Sequence, residues 1–312
     1  MTERSNTVTV HLMGGLGNQL FQYAFGRRLA YPNHAELHLD ASGYGSSSDA
    51  DPAKGVRTCE LAGFNIVGTI EGQKSGTPPA RRSSPRLWSE ARHVVDRVID
   101  LRKPYYARRE IVEPPSNYSR FDARVLHRVI QGPVSARGFW QSEKYFIEIE
   151  GQIRRELTLR CQPDSSSQRL ADQIMSSNSV GVHVRHGDNA SRVAPLLGVL
   201  SPEYYGRALE TLSAELERPS LFVFSDDIPW AKQLLGTMVS TRYVEHQGAA
   251  RSEIDLWLMS LCRHHVLANS TFGWWGAWLA RKPGQIVYAP RRYYQNIDRP
   301  NPDLYPPDWR LI

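Results

Sequence analysis

Thr7-Val8-Thr9-Val10-His11-Leu12-Met13-Gly14-Gly15-Leu16-Gly17-Asn18-Gln19-Leu20-Phe21-Gln22-Tyr23-Ala24-Phe25 is the stretch that decides the class of this chain. β-Branched residues alternate from Thr7 to Met13, which predicts a strand. Gly14, Gly15 and Gly17 interrupt it. Leu20, Phe21, Ala24, Phe25 and Leu29 then recur at helical spacing, and Glu36 to Asp40 reads as a second strand. Strand, glycine turn, helix, strand is the start of an α/β unit with a parallel sheet.

Working outward, a Gly/Ser/Asp loop is expected over 42–54, and residues 71–90, rich in Gly, Ser, Pro and Arg, read as an exposed loop. From Arg81 to Arg109 nine Lys/Arg stand against Glu90, Asp96 and Asp100, with an apolar helical stripe at Val94, Val95, Val98 and Ile99. This stretch is either a solvated helix face or a membrane-surface patch. The polar, serine-rich run from Cys161 to Gln168 is the candidate domain boundary. Beyond it, strands are expected at Ser179–Val184, Leu221–Phe224, His265–Ala268 and Ile286–Ala289. Helices are expected between and after them, at Pro202–Leu216, Pro229–Leu235, Ser252–Leu261 and Phe272–Ala280. The alternation implies a parallel sheet covered on both faces.

The length of 312 residues suits two α/β domains of about 150 residues each. With 41% hydrophobic and 22% charged residues the chain has ample core-forming material. Its net charge of +6 favours anionic ligands, such as phosphates or an acidic membrane surface, without choosing between them. No nucleic-acid partner is expected. Cys59, Cys161 and Cys262 are scattered and form no CxxC pair, which argues against a disulfide framework or zinc site and suits a reducing compartment. Met1 to Asn6 is polar, without the apolar core of a signal peptide, and no run of 18 apolar residues occurs. A cytoplasmic protein, peripheral to the inner membrane at most, is expected.

Four motifs fall at strand ends, where open α/β sheets bind ligands. The first, Gly14 to Leu20, is a partial dinucleotide-type turn. Leu20 occupies the third glycine position, and Asp40 ends the next strand where a ribose-binding acid would stand. Asn18 and Gln19 add amides for sugar hydroxyls, although Asn18 is equally suited to cap the helix. The second is His183-Val184-Arg185-His186-Gly187-Asp188. Alternation puts His183 and Arg185 on one face, a guanidinium to fork onto a diphosphate and an imidazole to bond a base or ribose. The bland alternatives are a satisfied core histidine and a surface pair between Arg185 and Asp188. The third, Phe224-Ser225-Asp226-Asp227, offers either a helix cap or ligand contact. Adjacent carboxylates point apart, which disfavours a metal pair. The fourth, Asn269-Ser270-Thr271-Phe272-Gly273-Trp274-Trp275-Gly276-Ala277-Trp278, makes a phosphate seat at a helix start. Its tryptophans read as core rather than sugar platforms. Asp255 stands early in its helix, either complementing the dipole or reading the N–H groups of guanine.

The GGLGNQLFQYA, HVRHGD, FSDD and ANSTFGWWGAWL segments, in this order and spacing, resemble the bacterial α-1,2-fucosyltransferases of glycosyltransferase family 11. RTCELAGFNI (Arg57 to Ile66) and RGFWQSEKYF (Arg137 to Phe146) resemble that family's connecting segments, so the likeness spans nearly the whole chain. It implies a GT-B fold of two facing Rossmann-like domains. Residues 1–160 would form the acceptor side and 161–312 the GDP-fucose side, with room for the last residues to pack back on the first domain. It further implies a metal-independent, inverting transfer of fucose to a glycan acceptor, a terminal β-galactoside of surface polysaccharide, with no cofactor. By motif, Arg185 would hold the β-phosphate, His183 and Asp255 the guanine, and Ser270 and Thr271 the phosphates. Asn18 and Gln19 would lie near the transferred sugar and the acceptor. Gly15, Gly17, Asp188, Ser225, Asp226 and Asn269 complete the expected GDP-fucose contacts. His186 stands where the family usually has a second arginine, so a second phosphate cation is either missing or dependent on pH.

Two negative charges develop on the leaving diphosphate, and Arg185 with a helix N-terminus can meet them in place of magnesium. No residue stands out as the general base. Asp40 is a candidate. A nicotinamide oxidoreductase would account for the first motif but not for Arg185 or Ser270-Thr271. A non-catalytic sugar-binding module would have no use for a phosphate seat.

Overall fold

The computed structural model describes residues 5–44, 57–72, 99–186, 197–236, 241–245 and 251–312. Residues 73–90 of the expected loop and most of the basic stretch from Arg81 therefore lie outside the described residues, as do residues 45–54 and Asp188, whereas Glu71 at the start of that loop ends a strand.

Two sheets carry the fold, and every pairing in both is parallel. The first contains β1 (Thr7–His11), β2 (Glu36–Asp40), β3 (Thr69–Glu71), β4 (Glu110–Val112) and β5 (Pro133–Arg137), in the order β3-β2-β1-β5-β4. The second contains β6 (Ser179–Val184), β7 (Ser220–Ser225), β8 (Thr241–Tyr243), β9 (His264–Val266), β10 (Val287–Ala289) and β11 (Arg310–Leu311). Its order is β11-β10-β9-β6-β7-β8. This is the α/β, GT-B arrangement. In each sheet the chain direction of build-up reverses beside the first strand, between β1 and β5 and between β6 and β9. Those two switch points are where such sheets bind ligands.

The helices are α1 (Leu16–Ala30), α2 (Glu150–Glu156), α3 (Ser165–Met175), α4 (Pro202–Glu215), α5 (Ile228–Leu235), α6 (Ser252–Leu261) and α7 (Thr271–Ala280). Around the second sheet, expected and observed boundaries differ by a residue or two, within the fraying of element ends. The largest difference is at β9, which ends at Val266 rather than Ala268, because residues 267–270 leave the sheet to enter α7.

The burial of two strands explains their sequences. β6 is buried at all six positions because β7 and β9 flank it and both faces are covered, so the Ser179, Gly181 and His183 side is as buried as the Val180, Val182 and Val184 side. β1 alternates instead: Val8 and Val10 are buried, whereas Thr7, Thr9 and His11 are half-buried.

The seam between the halves is aromatic. Trp274, Trp275 and Trp278 on α7 are each at most 1% exposed, as core packing requires. Phe21 on α1 lies 4.5 Å from Trp274 and 5.0 Å from Trp275, and Phe146 stacks on Trp275 at 5.3 Å and 14°. The indole N–H groups of Trp274 and Trp278 are satisfied by the Leu304 carbonyl and Glu143. Arg154 lies 4.1 Å over Trp278 and donates to the carbonyls of Trp278 and Leu279, placing a cation at the C-terminus of α7. Burying such rings contributes about 1.5–3 kcal/mol each.

Candidate active site

The two switch points face one another across this seam. At the first, β1 passes through Gly14 and Gly15 into α1, whose N-cap is Gly15 with no side-chain cap bond. Asn18 is therefore not the cap. Its Oδ1 accepts from Gln141 Nε2 at 2.9 Å, which ties it to the end of β5. Glu60 supplies the missing carboxylate, receiving the Leu16 N–H and also the Ser252 hydroxyl from α6. Burial nevertheless raises the Glu60 pKa.

Gln19 is fully buried. Its Nε2 donates to the carbonyls of Gly14 (3.1 Å) and Thr58 (2.8 Å), and its Oε1 accepts from Glu60 N (2.8 Å). All of its amide atoms are spent on backbone. In this way Gln19 braces the glycine turn. Gln22 bridges the two strand ends, accepting from Met13 N at 3.0 Å and donating to the Gly138 carbonyl at 3.1 Å.

At the second switch point, β6 delivers His183 buried and Arg185 and His186 half-buried. His183 is not a satisfied core histidine. Its Nδ1 is buried and has no hydrogen bond among the described residues. Burial lowers its pKa to about 4, with Asp226 opposing and Arg185 reinforcing the shift, so the ring is neutral at pH 7. His186 lies parallel to Trp230 at 4.6 Å and 4°, with Nδ1 2.9 Å from Asp227 Oδ2.

The two acids of the third motif divide the alternatives. Asp227 caps α5 by accepting from Trp230 N at 2.9 Å, while Asp226 accepts from His186 N at 3.0 Å. The Ser225 hydroxyl bonds the backbone of Asp227 within the same turn.

Asn269 is 1% exposed and donates to the carbonyls of Leu197, Gly198 and Tyr293. It thereby braces the loops that carry Leu197, Gly198 and Tyr293. Ser270 caps α7, with its Oγ on Phe272 N at 3.3 Å. Thr271 stays half-buried beside the first wall. Gly17 explains the closeness, since a Cβ there would lie 2.5 Å from Phe272 N and 2.6 Å from Thr271 Oγ1. The first turns of two helices thus meet, and only glycine permits it. Asp255 is half-buried in the first turn of α6, which packs on α7.

At the carboxyl ends of β1 and β2, His11 Nδ1 lies 2.7 Å from Asp40 Oδ2. Burial works against the Asp40 carboxylate, but bonds from Ser42 and the His11 ring outweigh it and lower its pKa. Asp40 is therefore a poor proton acceptor. Among the described residues, no group of three or more His, Cys, Asp or Glu is arranged to hold a metal ion. Nor is any described helix long and apolar enough to cross a membrane.

Glu60, Gln22, Gln141 and Tyr293 were missed by sequence reasoning. Gln141 and Glu60 lie inside the two segments read only as connectors. Their one signal was a polar residue within an otherwise apolar, motif-like run.

Paired parallel sheets with phosphate-type strand ends at facing switch points define a nucleotide-sugar transferase architecture. Comparison with known proteins agrees. Residues 129–312 match Glycosyl transferase family 11. The chain is 30% identical over 311 residues to an alpha-1,2-colitosyltransferase of Escherichia coli, covering 98% of each. It is 28% identical to the O-antigen biosynthesis glycosyltransferase WbnK of Escherichia coli, over 91% of this chain and 93% of the relative. The fold matches the fucosyltransferase NodZ from Bradyrhizobium with a TM-score of 0.52 at 18% identity, covering 88% of this chain and 92% of that one. The chain belongs to glycosyl transferase family 11 and is a glycosyltransferase.

Proposed function

We propose that the protein transfers L-fucose from GDP-β-L-fucose to the 2-hydroxyl of a terminal galactoside, forming an α-1,2 linkage by inversion and without a metal ion. One observation carries this reading: the orphaned His183 Nδ1, two residues before Arg185, lies against Gly273 in the first turn of α7, and the same helix start meets Gly17 of the first wall, next to the Asn18–Gln141 pair. A cation and a helix start suit a diphosphate, and a neutral buried ring nitrogen suits a base or ribose. In this reading Arg185 stabilises the leaving GDP, and Thr271 with the Ser270-capped turn seats the phosphates. His183 and Asp255 hold the guanine, Asp226 keeps the His186 turn in place, and Asn18 orients the sugars. Asp188 belongs to the same segment. His186, clamped by Asp227 and Trp230, keeps its other ring nitrogen for the phosphates. Residues 1–160 form the acceptor side and 161–312 the donor side.

The colitosyltransferase relative favours a second donor, since colitose is fucose without its 3-hydroxyl. A competition between GDP-fucose and GDP-colitose over a panel of galactosides tests both. Transfer of fucose with the higher kcat/KM supports the reading; a preference for colitose, or no transfer of either, overturns it.

We also place the protein at the cytoplasmic face of the membrane, where a surface-glycan precursor is built. Ile99, Leu101 and Val129 are 53%, 58% and 78% exposed. Arg102, Lys103, Arg108 and Arg109 follow in the same stretch, with Arg108 on the Leu101 carbonyl, and Arg128 next to Val129 donates to the Arg108 carbonyl. Apolar groups among cations suit an anionic bilayer. Sedimentation with phosphatidylglycerol vesicles, reduced by Leu101→Asp and absent with phosphatidylcholine alone, is the expected result.

A further inference from the structure

The fucosyl-transfer reading lacks a group to take the proton of the acceptor hydroxyl, and Asp40 is a weak candidate. Glu113 follows the last residue of β4 directly, at the carboxyl edge of the first sheet beside the end of β5. It is 2% exposed. Its Oε2 accepts from Phe139 N at 2.6 Å and Trp140 N at 3.2 Å. Its Oε1 is buried and has no hydrogen bond among the described residues. Gly138 makes the close approach feasible, because a Cβ there would lie 2.5 Å from the Glu113 Cβ.

The carboxylate holds a strained turn. Trp140 has φ of 53°, a region costly for a bulky side chain, and its ring is stacked on Phe25 at 4.0 Å and 6°. Backbone held this way is typical of functional sites. The next residue, Gln141, is the one that grips Asn18.

From Glu113 a line of contacts crosses to the donor side. Tyr118, whose phenol feels the Glu113 charge, is half-buried and meets Phe139 edge-on at 5.1 Å. Arg299 lies over both Tyr118 (5.6 Å) and Tyr294 (5.3 Å). Tyr293, next in the chain, takes the Thr271 N–H and lies in the field of Arg185. Tyr118 and Phe139 offer a sugar ring an aromatic edge on the Glu113 side of the sheet.

We propose that Glu113 is the general base of the transfer, an assignment resting on the fucosyl-transfer reading. Its Oε1 accepts the hydrogen bond, then the proton, of the acceptor hydroxyl. The acceptor's own oxygen, freed of that proton, bonds the anomeric carbon as the bond from carbon to the diphosphate oxygen breaks. GDP departs with the electron pair, and the proton leaves Glu113 to solvent.

The surroundings fit the task. Burial pushes the carboxyl up to about 7, against the two backbone bonds that lower it, and a base is most effective with its pKa near the working pH. The ionisable groups facing it are the Tyr118 and Tyr145 phenols, both raised by burial and therefore neutral, with Arg299 beyond Tyr118. Arg137, paired across from Val112, presents its backbone carbonyl to Glu113 N.

Glu113→Gln is isosteric and keeps a carbonyl oxygen for the Phe139 and Trp140 amides. It should lower kcat for a galactoside by about a hundredfold or more, the scale of losing a general base. Its affinity for GDP and its melting temperature should stay near the parent's. The parent's kcat should rise with pH to a plateau above about 7, and the variant should lack that limb. Glu113→Asp, which keeps a carboxylate, should retain the limb at reduced kcat. An E113Q protein within threefold of a parent that transfers fucose would overturn the assignment alone, as would loss of the limb in E113D. A parent that transfers no fucose would overturn the fucosyl reading and this assignment with it.

Discussion

At the end of β1, every side-chain polar atom of Gln19 and Gln22 is bonded to backbone. At the end of β6, the equivalent position of the other sheet, His183 keeps a buried ring nitrogen with no bond among the described residues. An unpaired buried polar atom costs on the order of 1–3 kcal/mol. The Gln19–Gln22 turn of the first wall is thus braced before any ligand arrives, and that wall keeps its unpaired atom elsewhere, at Glu113 Oε1. The second holds open polar capacity that a nucleotide can complete. The charges divide similarly. The first wall has Glu60, Glu113 and Asp40, with Arg57 beside Glu60 and His11 on Asp40, whereas the second carries Arg185 and His186 and ties Asp226 and Asp227 into its own turn. A carboxylate-lined wall suits removal of a proton; a cationic one suits a departing diphosphate.

The largest expected effect is at the seam that holds the two walls together. Trp275→Ala empties a site packed by Phe21 and Phe146 and should cost about 3–5 kcal/mol of stability in denaturant unfolding. A loss below about 1 kcal/mol would mean that the walls are joined some other way.

Arg185→Ala should lower kcat by about a hundredfold or more, since its contribution grows as the diphosphate charge develops. Arg185→Lys should recover only part, keeping the charge but losing the planar fork. Turnover within a fewfold of the parent would erase the electrostatic contrast between the walls.

Acid should expose the uncompleted second wall. His183 and His265 are both held to about 4 by burial. The unfolded chain takes up these protons near 6.5, so their stability contribution is present above that pH and is lost as pH falls toward 4. Between pH 6.5 and about 5 each costs roughly 2 kcal/mol. Melting curves across that range should show the decline, and saturating GDP should reduce it if the nucleotide occupies His183. A flat profile would contradict the neutral assignment.

The smallest effect is expected from chelation. EDTA should leave kcat unchanged if Arg185 and the α7 start meet the phosphate charge. Loss of activity restored by Mg²⁺ would return Asp226 and Asp227 to consideration as ligands.

Much of this was legible in the chain, and for local reasons. β1 and α1 follow from a change of period at Gly14, and β6 from valine at every second position, Val180, Val182 and Val184. The tryptophans of α7 read as core because a helix apolar all round must be buried. Roles that depend on long-range pairing were not legible. Nothing local distinguishes Asn18, open toward Gln141 across 123 residues, from Gln19, closed on Thr58 and Glu60. Likewise Asp226 and Asp227 are adjacent acids, and only the folded turn shows which one caps. Glu113 carries no motif at all. Its character comes from the Gly138 turn packing onto it from the neighbouring strand.

The central claim is that the open wall receives GDP-fucose and the braced wall receives a galactoside. The most direct measurement is a single reaction of the purified protein with GDP-fucose and a terminal β-galactoside, its product analysed by NMR. The account predicts one fucose, α-anomeric, with its anomeric carbon correlated to the galactose 2-oxygen position. A β-linked fucose, attachment at another hydroxyl, or an unmodified galactoside beside intact GDP-fucose would contradict it.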